Sequence, residues 1–219
     1  MRAKTMAMHN SHDVADSVLT LFDEVTKLGI ETMRCGIGII QDTKQMELWN
    51  VKVNENGKAD LVVGQMDMTM HPLLQGGFNG WKNKEKFFTY ELKDGDLINY
   101  YTIINNHPHY PVKYDLSALP QRMIHSEFYF PEGTLYSFSA EEFSAEAKKI
   151  FSRFAAVFGQ TYRRYLDLQK SEAQAKESQI QLALERVRAR TMAMQRSNEL
   201  AETASIVFKQ LLDLGVRAE

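Results

Sequence analysis

Residues 2–33, RAKTMAMHNSHDVADSVLTLFDEVTKLGIETM, return at 188–219 as RARTMAMQRSNELAETASIVFKQLLDLGVRAE. Arg2/Arg188, Ala3/Ala189, Thr5/Thr191, Met6/Met192, Ala7/Ala193 and Met8/Met194 are identical. Ser11/Ser197, Ala15/Ala201, Phe22/Phe208, Leu28/Leu214 and Gly29/Gly215 continue the match without a gap. A repeat constrains a fold more than any local propensity, because each copy must build the same element. Both copies end in Leu-Gly followed by Ile or Val, the pattern of a helix stopped by glycine and passing into a strand. The expectation is one complete globular unit followed by the opening helix of the next, a section of a longer array.

Between the copies the pattern changes period. Residues 12–29 are helical by spacing, with Val14, Val18, Leu21, Val25 and Leu28 three and four apart and Ser11 as a candidate N-cap. Residues 33–41, 45–54 and 59–66 read as strands, the last two joined by an Asn56-Gly57 hairpin. His71-Pro72 suggests a helix start through Leu73 and Leu74. Gly76, Gly77 and Gly80 then suggest a loosened loop around Phe78 and Trp81, mobile in the manner of a lid. Asp94 or Asp96 is expected to cap a helix through Leu97, Tyr101 and Ile104. Residues 121–130 and 134–139 form a second hairpin across Pro131-Glu132-Gly133.

From Glu141 to about Leu214 there is no proline, and Gly159 is the only interior glycine before Gly215. Ile150, Phe154, Val157 and Phe158 suit a helix packed on the sheet or on a twin helix. Leu166, Ala173, Ile180, Val187, Met194 and Ala201 then recur seven apart, an a/d seam weakened by Lys170, Glu177, Thr191 and Asn198. The fold class expected is α+β: an antiparallel sheet of about six strands with flanking helices, followed by a long signalling helix. The divisions are 1–158 as the sheet domain, 159–200 as a coiled-coil connector and 201–219 as the truncated start of a second unit.

This order of elements resembles the GAF family, small sensory modules of multidomain signalling proteins, over roughly residues 10–158. The segment FAAVFGQTYRRYLDLQKSEAQAKESQIQLALERVRARTMAM at 154–194 is similar to connectors of bacterial, Bacteroidetes-type sensors that precede a histidine kinase or another output domain. Its ALERVRARTMAM portion is the sharpest part of the resemblance. GAF domains carry a six-stranded antiparallel sheet, often hold a small ligand on one face and often dimerise through terminal helices. PAS domains share the plan and are the alternative at fold level. The resemblance does not extend to a ligand class. The Asn-Lys-Phe-Asp-Glu signature of cyclic-nucleotide binders is absent, and Cys35 lies in a strand with no adjacent histidine, unlike a bilin-attachment cysteine.

Composition narrows the chemistry. The 219 residues are 44% apolar and 25% charged, with a formal net charge of -2, and show no basic face suited to nucleic acid. Four arginines against one glutamate in 185–196 fit the outer positions of a coiled coil. The single cysteine, Cys35, rules out an internal disulfide and is expected to be a small buried hydrophobe. No signal-peptide pattern is visible and no run approaches the ~20 apolar residues of a membrane span. The segment is therefore expected to be cytoplasmic, without membrane contact.

No phosphate-loop, zincin, EF-hand or nucleophile-elbow motif is present. Gly36-Ile37-Gly38 is read as close packing by the first helix rather than a phosphate cradle. His107-Pro108-His109 is read as a loop rather than a metal site. His9 and His12 align with Gln195 and Asn198, so the repeat does not require imidazole there. No catalytic or metal residues are assigned, and any cofactor is left open. The candidate pocket lies between the sheet and the inserted segment 67–115, with Trp49, Gln65, Asp67, Trp81, Tyr100, Tyr101 and His125 as its residues.

The leading reading is a non-enzymatic sensory or regulatory module. It relays a small-molecule or conformational signal through a dimeric connector helix to a downstream output domain. Its partners would be a second copy, bound through the N- and C-terminal helices, and an unidentified small ligand. The alternative is a purely structural dimerisation spacer. A third, enzymatic reading rests on His125 and Glu127, which alternation places on one face of a strand, and requires an open cleft holding both.

Overall fold

A computed structural model of the protein describes residues 19–20, 23–53, 59–193 and 200–216. Backbone alone is described at 51–53 and 59–61. The hairpin at 55–58, the candidate cap Ser11, Val14, Val18, Leu21, and His9 and His12 lie outside the described residues. The chain divides into two compact units, Met1–Tyr165 and Leu166–Glu219.

The first unit is a mixed α+β fold. Helix α1, helical at 19–20 and 23–27, ends at Gly29, whose φ of 70° is the left-handed value glycine adopts without strain. Gly29 N–H donates to Thr26 O at 3.0 Å, closing the last turn. Strands β1 (Arg34–Ile40), β2 (Gln45–Val53) and β3 (Ala59–Asp67) follow as a meander. Helix α2 (Pro72–Lys82), β4 (Phe87–Lys93) and α3 (Asp94–Asn106) come next, then β5 (Arg122–Phe130) and β6 (Gly133–Ser139). The sheet runs β3-β2-β1-β6-β5-β4, and every pair is antiparallel. The inserted segment thus carries the chain from one edge to the other. The long helix α4 (Ala145–Ala193) leaves after β6.

Strand alternation gives the sheet two different faces. On one, Ile37, Leu135, Phe128 and Phe130 pack against Val25 of α1 and Phe151, Ala155 and Phe158 of α4. Phe128 and Phe151 stack with centroids 5.0 Å apart, nearly parallel. Gly159 permits this approach, because a Cβ there would sit 2.6 Å from Cβ of Phe130. On the other face, Met46, Leu48, Met66, Tyr136 and Phe138 pack against Leu73, Leu74 and Phe78 of α2 and Leu97, Tyr100, Tyr101 and Ile104 of α3.

Several expectations change. The glycines at 76, 77 and 80 lie inside α2 rather than in a loop. Each costs about 1 kcal/mol of helix propensity relative to alanine. The sheet beneath explains them: a Cβ at Gly76 would meet the Phe88 ring, at Gly77 the Glu127 carboxylate and at Gly80 the Tyr129 hydroxyl. Gly36 and Gly38 face Tyr136 and Met46, not the first helix. Neither Asp94 nor Asp96 caps α3; the cap position is Lys93, and both aspartates fall in the first turn. β4 (Phe87–Lys93) is an edge strand, to which the sequence pattern assigns no element.

In the second unit α4 continues to Ala193, and helix α5 (Leu200–Asp213) follows. Arg190 donates to Glu202 and Arg186 to Gln210, so α5 runs back antiparallel along α4. The heptad seam is therefore not carried on a single helix to Ala201. Within α4 the seam residue Leu166 is 39% exposed and the flanking Leu184 44%. Gly215, at φ 84°, repeats the stop of Gly29: its N–H donates to Leu212 O and that of Val216 to Leu211 O. No helix among the described residues is long and apolar enough to cross a membrane.

Candidate functional site

The sheet face under α2 and α3 encloses a small cavity. Arg34, Leu48, Tyr100, Tyr110, His125, Glu127 and Tyr136 are among its walls. Its free space is about 20 Å³, room for one water.

His125 and Glu127 come from β5, two residues apart and on the same face. They lie opposite Phe138 and Tyr136 of β6. His125 Nε2 and Glu127 Oε1 are hydrogen-bonded at 2.9 Å, and both residues are buried, at 3% and 1% exposure. His125 Nδ1 and Glu127 Oε2 have no hydrogen-bond partner. Glu127 is pinned from above by α2, since a Cβ on Gly77 would be 2.5 Å from Oε1. Tyr129, the next residue on that face, donates to Gly77 O at 2.9 Å, and burial raises its phenol well above the usual range.

Arg34 opens β1. Its guanidinium carbon lies 4.1 Å from the Phe138 ring centroid, 5.1 Å from Tyr114 and 5.8 Å from Tyr101. Nη1 donates to the Tyr114 hydroxyl, while Nε is buried without a partner. No carboxylate among the described residues lies within ion-pair distance of it. Aromatic faces stabilise a cation through their quadrupole, but they do not satisfy its N–H donors.

A chain of polar groups links these strands to the strap 107–115. Tyr136 donates to Asn50 Oδ1, Asn50 Nδ2 donates to Tyr110 at 3.1 Å, and the Tyr110 and Tyr114 hydroxyls are 3.2 Å apart. Burial raises the phenols of Tyr100, Tyr110 and Tyr136 well above the usual range, so they act as neutral donors and acceptors. The strap is tied down at Asn105, whose side chain bonds both backbone N–H and C=O of Tyr114, and at Gln65 N–H, which donates to His109 O.

Of the residues singled out from sequence, Tyr100 and His125 line this cavity, and Tyr101 packs on Arg34 beside it. Trp49 does not: it pairs with Ile37 and packs with the terminal helices on the opposite face. Gln65 is exposed, and Asp67 caps the turn to Thr69, whose backbone and side-chain bonds hold its carboxylate below the usual range. Trp81 donates to Pro131 O and borders a separate open hollow of about 670 Å³. That hollow is larger and open, and two of its charged residues are already paired, Lys82 with Asp42 and Arg163 with Glu132. Arg34, Asn50, Tyr110 and Tyr136 were not singled out. Strand parity relative to Gly36 links Arg34, Asn50 and Tyr136 to one face, but only the tertiary fold shows that face to be the covered one.

The histidines at 107 and 109 touch each other, with His107 Nδ1 accepting from His109 N–H at 3.3 Å. No cluster of three or more His, Cys, Asp or Glu able to hold a metal occurs among the described residues. Cys35 is free and buried, its thiol pushed up to about 12 by desolvation, as suits a small core residue. No protein-family model, curated protein or solved structure matches the chain.

Proposed function

We propose that the chain is a non-enzymatic sensory or regulatory module of the GAF type, in which a small molecule at the internal cavity alters the packing of the helix that leaves the sheet. The observation that carries this reading is the construction of β5. His125 and Glu127 face the cavity with unsatisfied buried atoms, while Phe128 and Phe130, alternating with them, hold α4. A close-packed interior does not absorb such a shift locally, so movement of one row is felt by the other. The six-stranded sheet, with its insert on one face and terminal helices on the other, supports the GAF reading.

The output is the connector: two copies of the chain pair through their helices and pass a change of packing to a downstream domain such as a histidine kinase. The exposed apolar seam of α4 supports pairing. An enzymatic role for His125 and Glu127 is less well supported, because the pair sits in a closed interior rather than an open cleft. The test is disulfide cross-linking between copies carrying Ile180→Cys or Val187→Cys, with and without each member of a metabolite library. Rates that change with a ligand support sensing. Cross-links that form at a rate no metabolite alters point to the second reading, a structural spacer, which the small size of the cavity favours. Absence of cross-linked dimer at both positions defeats the relay through paired connectors.

A further inference from the structure

We propose that the cavity takes a small zwitterion, with its carboxylate on Arg34 and its ammonium on Glu127. This rests on the sensory reading and names the class of ligand. Arg34 contributes a guanidinium with no carboxylate partner among the described residues and a buried, unpartnered Nε. A guanidinium presents paired N–H donors that match a carboxylate in plane. Phe138, Tyr114 and Tyr101 hold that group in place without using up its donors, apart from the one given to Tyr114. Arg34 is half-buried, but its Nε is fully buried, and a buried donor left unpaired is costly, so the geometry leaves a place for an acceptor there.

Glu127 supplies the opposite requirement. Its Oε1 is hydrogen-bonded to His125, and its Oε2 is buried with no donor. An ionised carboxylate only accepts, so Oε2 calls for an N–H donor, and an ammonium is the strongest one. Arg34 and Glu127 both line the same cavity. A simple anion would meet Glu127, and a simple cation would meet Arg34. A molecule carrying both charges satisfies each. Leu48, Met66, Leu74 and Ile104 complete the wall, which suits a short apolar side chain beside the two charged groups. An α-amino acid is the simplest molecule of this description.

The cavity as it stands holds about one water, so admission requires the cover to move. The strap 107–115, which carries Tyr110 of the cavity wall, is the part of the cover that would have to move. It lies over β3 at Gly64, where a Cβ would be 2.9 Å from the Tyr110 ring. It is held by the Tyr110–Asn50 bond, the Arg34–Tyr114 bond, the backbone bond at Gln65, the paired Asn105–Tyr114 bonds and Lys113 on the carbonyls of Asn105 and His107. The ligand carboxylate takes over the Arg34 donor that Tyr114 occupies in the closed state.

The test is calorimetric titration of the full chain with the L-amino acids, together with carboxylate-only analogues (acetate, propionate, isovalerate) and amine-only analogues (ethylamine, isobutylamine). At least one amino acid is expected to bind. Removing either charge from it should weaken binding roughly 100-fold, the scale of breaking one partner of a buried charge pair. Arg34→Lys and Glu127→Gln should weaken the same amino acid by a similar factor, with circular dichroism confirming that each variant folds. A carboxylate-only analogue that binds as tightly as its amino acid overturns the proposal, as does binding unaffected by both variants. If no amino acid binds but another metabolite alters the cross-linking rate at Ile180→Cys, the zwitterion is refuted and sensing stands. If nothing in either experiment has an effect, both fall.

Discussion

Gly77→Ala is the sharpest probe of how the site is built. Alanine is the better helix former by about 1 kcal/mol, so in an unconstrained helix the substitution would stabilise. Here the new methyl would lie 2.5 Å from Glu127 Oε1. The carboxylate must withdraw by about 0.9 Å to restore van der Waals contact. Oε1 is the atom held 2.9 Å from His125 Nε2, so withdrawal breaks that bond. Losing a hydrogen bond to a buried carboxyl group costs about 1.5–3 kcal/mol. Net of helix propensity, Gly77→Ala is expected to destabilise by about 0.5–2 kcal/mol, against the ~5–15 kcal/mol of a typical domain. Gly95→Ala is the control: it lies in α3, and nothing sits within 4 Å of its Cβ position. That substitution should be neutral or stabilising by up to about 1 kcal/mol. Urea unfolding of both, and of Gly77→Ala in a Glu127→Ala background, completes a double-mutant cycle. With the carboxylate gone, Gly77→Ala should cost nothing. If it destabilises equally in both backgrounds, Glu127 is not what the glycine makes room for.

Two further outcomes are expected. His71 is fully buried, its Nδ1 accepts from Leu73 N–H at 3.1 Å, and desolvation lowers its pKa below 6.5 despite Asp96 at 3.2 Å from Nε2. The unfolded chain therefore takes up the proton more readily, and the stability contribution is full above pH 6.5 and lost as pH falls through the folded-state value. Urea midpoints from pH 7.5 to 5 should drop in the native chain and drop less in His71→Asn; equal slopes would refute the assignment. Cys35, with its thiol raised to about 12 by burial, should react with a disulfide reagent only after denaturant is added, and rapid labelling of the native chain would contradict its burial.

Local pattern carried the strands well because hairpin chemistry and alternation act within a few residues of each other. Gly29 and Gly215 were legible for the same reason: the left-handed stop is a local demand, and both copies meet it. The glycines of α2 were misread because the reason for them is distant. Glycine inside a short segment signals a breaker, and only Phe88, Glu127 and Tyr129, on strands later in the chain, reveal them as clearance. The site divides along the same line. Tyr100 and His125 were identifiable as polar aromatics on elements flanking a cavity. Trp49 was misplaced because period-two alternation states which residues share a face, not which face the insert covers. Arg34 carried no signal, since an arginine at a strand end reads as solvated until Phe138, Tyr101 and Tyr114 close around it.

The arrangement of the two charged groups explains why a ligand here would be felt outside the cavity. Arg34 is the first residue of β1, five positions after Gly29 ends α1. Glu127 sits on β5 immediately before Phe128, which stacks on Phe151 of α4. β6 lies between the two strands, with Arg34 opposite Phe138 and Glu127 opposite Tyr136. A zwitterion reached by Arg34 from one side and Glu127 from the other would therefore link the strands flanking β6. It would couple the strand that follows the first helix to the strand that anchors the last. Both helices rest on the opposite face, in one aromatic cluster with Phe128, Phe130 and Phe158. A molecule reaching only one of the two groups would leave the other strand where it is, so the requirement for both charges is also the condition for moving the helices relative to each other.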